Sequence, residues 1–185
     1  GTRRARSMTL PVIARGRDLI CNTIAGMKLE MYREMWNGDS MEEISLAPRS
    51  WLSRIDQSVP NQFIISYTVD DLIFEGRAFW LITERTADFY PKNFTRLPAA
   101  MCQTLDQQGE IFFGPSKQVV FNGVQLDPND LVQFISPMQS LNSTGARAVE
   151  IALRVEDSRL RASQSVLPSG YLRQTGGEPL SSQEL

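Results

Sequence analysis

The chain has 185 residues, enough for one domain or for one domain with a tail, and its charge is nearly balanced at −2, from 19 Lys and Arg against 21 Asp and Glu. It contains no histidine, which excludes Ser-His-Asp and Cys-His catalysis, histidine zinc ligation and histidine pH switching together. No apolar run approaches the length of a membrane span, and the slightly acidic balance argues against sequence-independent DNA binding by the whole surface.

The first predicted element is a helix over 9–26. Ser7 or Thr9 is its expected cap, and Pro11 suits a first turn, where a missing N–H costs nothing. Val12, Ile13, Ile20, Ile24 and Met27 recur near helical spacing, and Gly26 closes the helix. Arg3, Arg4, Arg6, Arg15 and Arg17 make this entry basic; they are either solvated or candidates for a contact with another subunit. KLEMYRE alternates and predicts a strand with Leu29 and Met31 on one side. The polar stretch from Trp36 to Glu43, containing Gly38, reads as a loop, and Trp51 follows in PRSWLSRIDQSVP.

A second helix is predicted over 58–75, started by Ser58 and Pro60 and stopped by Gly76. It carries Phe63, Ile64, Tyr67, Leu72 and Phe74, apolar on more than one face, so it should be largely buried. RAFWLITER follows as a strand with Phe79, Leu81 and Thr83 opposed to Trp80 and Ile82. Apolar residues on both sides predict a central strand covered on both faces. Further strands are expected from Met101 to Leu105, at EIFF, at KQVVF and from Asp130 to Ser136. Asn122-Gly123 between VVF and VQL predicts a tight hairpin, because both turn residues must take positive φ. A third helix is predicted over 143–163, capped by Ser143 or Thr144, with Ala148, Ile151, Ala152 and Val155 on one stripe. The Pro- and Gly-rich remainder should be extended.

These elements predict an α+β fold: helices packed on a mainly antiparallel, hairpin-rich sheet, followed by a helix and an extended tail. The expected division is 1–142 for the α+β domain, 143–163 for the long helix and 164–185 for the tail. Phe63, Leu72, Phe79, Leu81, Phe121 and Phe134 are the expected core. The chain starts without Met and ends on SSQEL, and the expectation is a fragment of a longer protein.

Few residues carry a pattern suited to chemistry. Asp70, Asp71 and Glu75 form the densest carboxylate set, and Asp71 and Glu75 share a helix face at a spacing of four. Such a pair could hold a divalent metal or act as acid and base, which gives a small metal-assisted hydrolase as one reading. The other reading is the solvent edge of an amphipathic helix, where removing either side chain costs under about 1 kcal/mol. Asp127, Asn129 and Asp130 lack the glycine and distal glutamate of a calcium loop and predict an Asx turn instead. Phe79, Trp80, Phe112, Phe113 and Phe121 could stack bases, but without a basic sheet face they are expected in the core. Cys21 and Cys102 stand far apart with no CxxC pair and should be small buried hydrophobes. No catalytic residue, metal ligand or cofactor is expected.

Taken in order, the segments resemble one family. LPVIARGRDLICNTIAGMKLEMYRE resembles the opening helix and strand of tailed-bacteriophage portal proteins, and WLSRIDQSVP is similar to a Trp-containing segment of that family, with Ile55 where proline is common. FIISYTVDDLIFEGRAFWLITER, LVQFISPMQSLNSTGARAVEIALRVE and PSGYLRQTGG are similar to the family's later stretches, closest to portals of phages or prophages of actinobacteria. The resemblance implies a non-enzymatic structural subunit from the N-terminal, wing-like half of a portal, located at one capsid vertex of the virion and assembled in the bacterial cytoplasm. The implied partners are copies of itself in a ring, usually of twelve, together with terminase, capsid and head–tail connector proteins. Double-stranded DNA would pass through the ring without sequence-specific binding, and no membrane is involved. A non-catalytic phage adaptor domain is the remaining alternative. The basic entry would meet a neighbour's acidic stretch such as Asp39, Glu42 and Glu43.

Overall fold

A computed structural model of the chain describes residues 3–107 and 114–164. Two compact units are present, Gly1–Arg147 and Ala148–Leu185. The first begins with a short helix α1 (Arg3–Ser7), a longer helix α2 (Pro11–Ala25) and a hairpin of β1 (Tyr32–Trp36) with β2 (Met41–Ser45). One helical turn, α3 (Ser50–Ser53), leads to α4 (Asn61–Glu75), which is followed by β3 (Arg77–Arg85) and β4 (Pro91–Leu97). Four shorter or later strands complete the sheets: β5 (Cys102–Thr104), β6 (Val119–Phe121), β7 (Val124–Gln125) and β8 (Leu131–Ile135). The helical turn α5 (Leu141–Thr144) precedes α6 (Ala146–Gln164). The expected strand at EIFF, with Phe112 and Phe113, and nearly all of the expected tail lie outside the described residues.

The body is built on β3. It is the middle strand of an antiparallel sheet ordered β4-β3-β8, and its alternation sorts the core into two halves. Phe79 faces Leu97, Ala99, Val119 and Leu131, with Leu81, Phe121 and Cys102 packed around them. Trp80 faces Ile55, Ile64 and Phe94, with Ile82, Val132 and Phe134 against that cluster. The first half is closed by the small sheet β5-β6-β7, the second by α4 and the segment around Ile55. Trp80 meets Phe134 at 4.8 Å between ring centroids and Phe94 at 5.7 Å. Its indole N–H donates to Thr68 Oγ1 at 2.8 Å, and Thr68 donates onward to the Ile64 carbonyl, so a polar atom in the core is satisfied as burial demands.

Local chemistry sets the joints. Gly76 takes φ +74° at the end of α4 and donates its N–H to the Leu72 carbonyl, a left-handed stop that favours glycine. Asn122 and Gly123 take φ 49° and 82° between β6 and β7, as the hairpin turn requires. Asp127 accepts from the Asn129 N–H at 2.8 Å, the expected Asx turn. β4 starts at Pro91 and has a free edge beside it, which the Ile55 segment covers: the Phe94 N–H donates to the Ile55 carbonyl and the Gln57 N–H to Asn93 Oδ1.

Several local expectations need correction. Ser7 and Thr9 do not cap α2; Ser7 lies in α1, both hydroxyls donate to carbonyls one turn back, and the N-cap is Leu10. Gly26 ends α2 in a right-handed conformation, without the positive φ of a glycine stop. The strand expected at KLEMYRE starts only at Tyr32, and the expected loop from Trp36 to Glu43 shrinks to four residues. Asn37 Oδ1 accepts from the Asp39 and Ser40 N–H groups. This turn aligns the polar run MEEIS with YREMW despite its weak strand pattern. Ser143 and Thr144 lie inside α5 rather than capping α6. PKNFTRL, which carries no clear alternation, pairs with β3 as β4. Phe63, expected in the core, is 54% exposed. Leu72, Leu81, Phe121 and Phe134 are only half-buried, so Phe79 is the one residue of the expected core set that is fully buried.

The second unit is described only as the helix α6 from Ala148 onward. Ile151, Val155 and Leu160 are exposed on it.

Candidate functional site

The two aspartates in the middle of α4 turn in different directions. Adjacent helical positions are about 100° apart, and α4 is covered on more than one side. Asp70 therefore meets the helices before it, and Asp71 meets the sheet.

Asp70 is 2% exposed and carries two arginines. Arg4 of α1 donates from Nε at 2.7 Å and from Nη2 at 3.0 Å, and Arg17 of α2 donates from Nε at 2.6 Å. Burial works against its charged form, but the hydrogen bonds and positive charges of Arg4 and Arg17 outweigh it and hold the carboxyl below its ordinary pKa. Arg17 also donates to Asp18 at 2.9 Å. The guanidiniums of Arg4 and Arg17 lie over the rings of Phe74 and Tyr67, at 5.4 and 5.8 Å from the centroids.

Asp71 is also buried. Arg96 of β4 reaches its Oδ2 with Nε at 2.9 Å and Nη2 at 2.7 Å. Here burial prevails over the arginine, the Asp70 charge adds to it, and the carboxyl is pushed up to about 6. Cys102, beside the same carboxylate, is pushed up to about 11 by burial first and by Asp71 second, which makes it an inert thiol. Cys21 is buried as expected, Cys102 is only half-buried, and neither is in a disulfide. Arg96 also lies 5.2 Å from the Tyr67 centroid. One ring thus carries guanidiniums from both clusters and links α1, α2, α4 and β4 into a single charged network.

This placement overturns the solvent-edge reading of Asp70 and Asp71. Glu75 accepts from Asn142 Nδ2 at 2.8 Å, on α5, so Asp71 and Glu75 are committed to different neighbours. No three His, Cys, Asp or Glu side chains among the described residues are grouped to hold a metal. The Arg4 and Arg17 pairs with Asp70 join the N-terminal helices to α4, and the Arg96 pair with Asp71 joins β4 to it. Sequence reasoning missed Asp70 as the counter-charge of Arg4 and Arg17, and Arg96 as that of Asp71. The available signal was the all-round apolar character of α4. Acids on a helix buried on more than one side must be paired, and the arginine-rich entry was the nearest supply.

Of the five arginines singled out, Arg4 and Arg17 spend their guanidiniums inside the chain, while Arg3, Arg6 and Arg15 are exposed. Asp39, Glu42 and Glu43 are exposed on the β1–β2 hairpin. No helix among the described residues is long and apolar enough to cross a membrane.

No family model matches the chain, and no curated protein does either. Solved structures that are similar in fold include the following two. One is an HK97-family phage portal protein from Corynebacterium diphtheriae, with a TM-score of 0.65 and 20% identity, covering 98% of this chain and 56% of that one. The other is the neck of an empty GTA particle computed with C6 symmetry, with a TM-score of 0.61 and 12% identity, covering 99% of this chain and 53% of that one. The chain spans about half the length of each of these two chains, and its fold is that of an HK97-family phage portal protein.

Proposed function

We propose that this chain is the N-terminal, wing-like part of a portal-type subunit: a structural protein that assembles with copies of itself into a ring at one capsid vertex. The carrying observation is the fold shared with a phage portal protein over 98% of the chain. Two features support the reading. The densest charged groups are consumed in fastening helices to the body. The near-neutral total charge also suits a conduit through which DNA slides, since many phosphate contacts would grip it in a salt-dependent way. In this reading the ring passes double-stranded DNA during packaging and ejection and docks the terminase, the capsid and the head–tail connectors. The chain works in the virion, and ring closure uses one face of each subunit against a different face of the next.

The test is electron microscopy of the chain together with the remainder of its subunit. Rings with a central channel are expected. A protein that stays monomeric at every concentration and salt would contradict the reading.

A further inference from the structure

α2 is turned inside out. Its buried side is Cys21 and Ala25 with Arg17 next to them, while Val12 is 77% exposed and Leu19 is 69% exposed. Val12, Arg15 and Leu19 are spaced three and four apart and so form one stripe, apolar at both ends with a cation between. Ile20, Ile24 and Met27 widen the exposed apolar surface.

The β1–β2 hairpin has the opposite pattern. It is a separate two-stranded sheet with no fully buried residue, and an isolated hairpin is marginal in water. Tyr32, Glu34 and Trp36 share one face with their cross-strand partners Ser45, Glu43 and Met41. Trp36 is 60% exposed, and Met41 and Tyr32 are nearly as open. Glu34 stands directly opposite Glu43, a like-charge pair that destabilises a ladder. Among the described residues neither glutamate, nor Arg15, is in an ion pair. The face reads aromatic, acidic, aromatic, and what it lacks is a cation flanked by apolar groups.

We propose that the β1–β2 hairpin of one copy of this chain docks on the α2 stripe of a second copy, with Arg15 between Glu34 and Glu43, and with Trp36 and Tyr32 on Leu19 and Val12. This rests on the portal-type reading above and names its subunit contact. The lengths agree: Val12 to Leu19 spans about 10 Å of helix, and Tyr32 to Trp36 about 13 Å of strand. Exposed Arg3 and Arg6 add positive charge on the α2 side, and Asp39 and Glu42 add negative charge on the hairpin, so association weakens as salt rises. The two surfaces differ, so the contact is head to tail and propagates.

Sedimentation velocity of the full chain tests this with two variants at exposed positions, Leu19→Asp and Trp36→Glu, each checked for wild-type circular dichroism. The wild type is expected to self-associate weakly, and each variant to lose about tenfold or more in affinity, as expected for an anchor side chain. An equimolar mixture should restore one-to-one dimers, because each variant supplies the surface the other lacks. A wild type that is monomeric at millimolar concentration, a variant that associates like the wild type, or a mixture that stays monomeric overturns the proposal. A wild type that associates through surfaces indifferent to both changes sinks this contact and leaves the ring reading standing. A longer subunit that forms no ring, alongside mixed dimers, sinks the ring reading instead.

Discussion

On β3 the large apolar side chains turn inward to both faces of the strand, and Phe79 is 2% exposed. On α2 they turn outward, and the side facing the body is made of small residues and an arginine bound to Asp70. The body is therefore held by apolar burial, which is additive over many contacts and non-directional. The arm formed by α1 and α2 buries only Leu10, Cys21 and Ala25 among its apolar residues, and adds one directional cluster, Arg4 and Arg17 on a single carboxylate. A segment held this way leaves its apolar face free for another surface, and it also depends heavily on very few atoms.

The largest test is on the body. Phe79→Ala should cost about 3–5 kcal/mol in chemical denaturation, because it empties the centre of one core half. An unchanged denaturation midpoint would show that the first core half does not hold the body.

Asp70→Ala comes next, at about 3 kcal/mol. It strands two arginines that are only partly solvated, at the low end of what breaking a buried pair costs. A loss below about 0.5 kcal/mol would return Asp70 to the ordinary surface class and remove the distinction between arm and body.

The two aspartates should also differ in pH dependence. Asp71 has a folded pKa raised from 3.8 to about 6. Its contribution to stability is fully present below 3.8 and is lost as pH rises through about 6. Asp70 is lowered, so its contribution is present above the ordinary carboxyl pKa and is lost as pH falls below it. Relative to Asp71→Asn, the wild type should lose on the order of 1 kcal/mol between pH 4 and pH 6.5. Parallel stability profiles for the two proteins would show that Asp71 does not titrate in that window.

The smallest effect belongs to the outward face. Leu19→Ala and Trp36→Ala should leave the stability of the dilute chain within about 0.5 kcal/mol of wild type. A loss of several times that size would mean that these side chains pack within their own chain.

Legibility in the sequence followed the kind of force involved. β3 was readable because apolar residues on both sides of an alternating run have one explanation, and the stop at Gly76 and the Asn122-Gly123 turn were readable because each needs positive φ. β4 was not, since PKNFTRL owes its strand to pairing with β3 and to the Ile55 segment beside it. β2 was likewise hidden, because a four-residue turn sets its register and burial does not. Phe63 was misplaced because α4 is apolar all round, and periodicity alone cannot say which apolar face meets the sheet. The Asp70 cluster joins positions 4, 17 and 70, and that pairing is set by tertiary packing. Only the need for counter-charges was visible in the residues themselves.

The claim that Asp70 fastens the arm is tested most directly by amide hydrogen exchange on Asp70→Ala beside the wild type. Protection should fall selectively across α2 while the amides of β3 and β4 keep theirs, because local opening follows the contact that was removed. An equal loss of protection over α2, β3 and β4, or no loss at α2, would contradict the account.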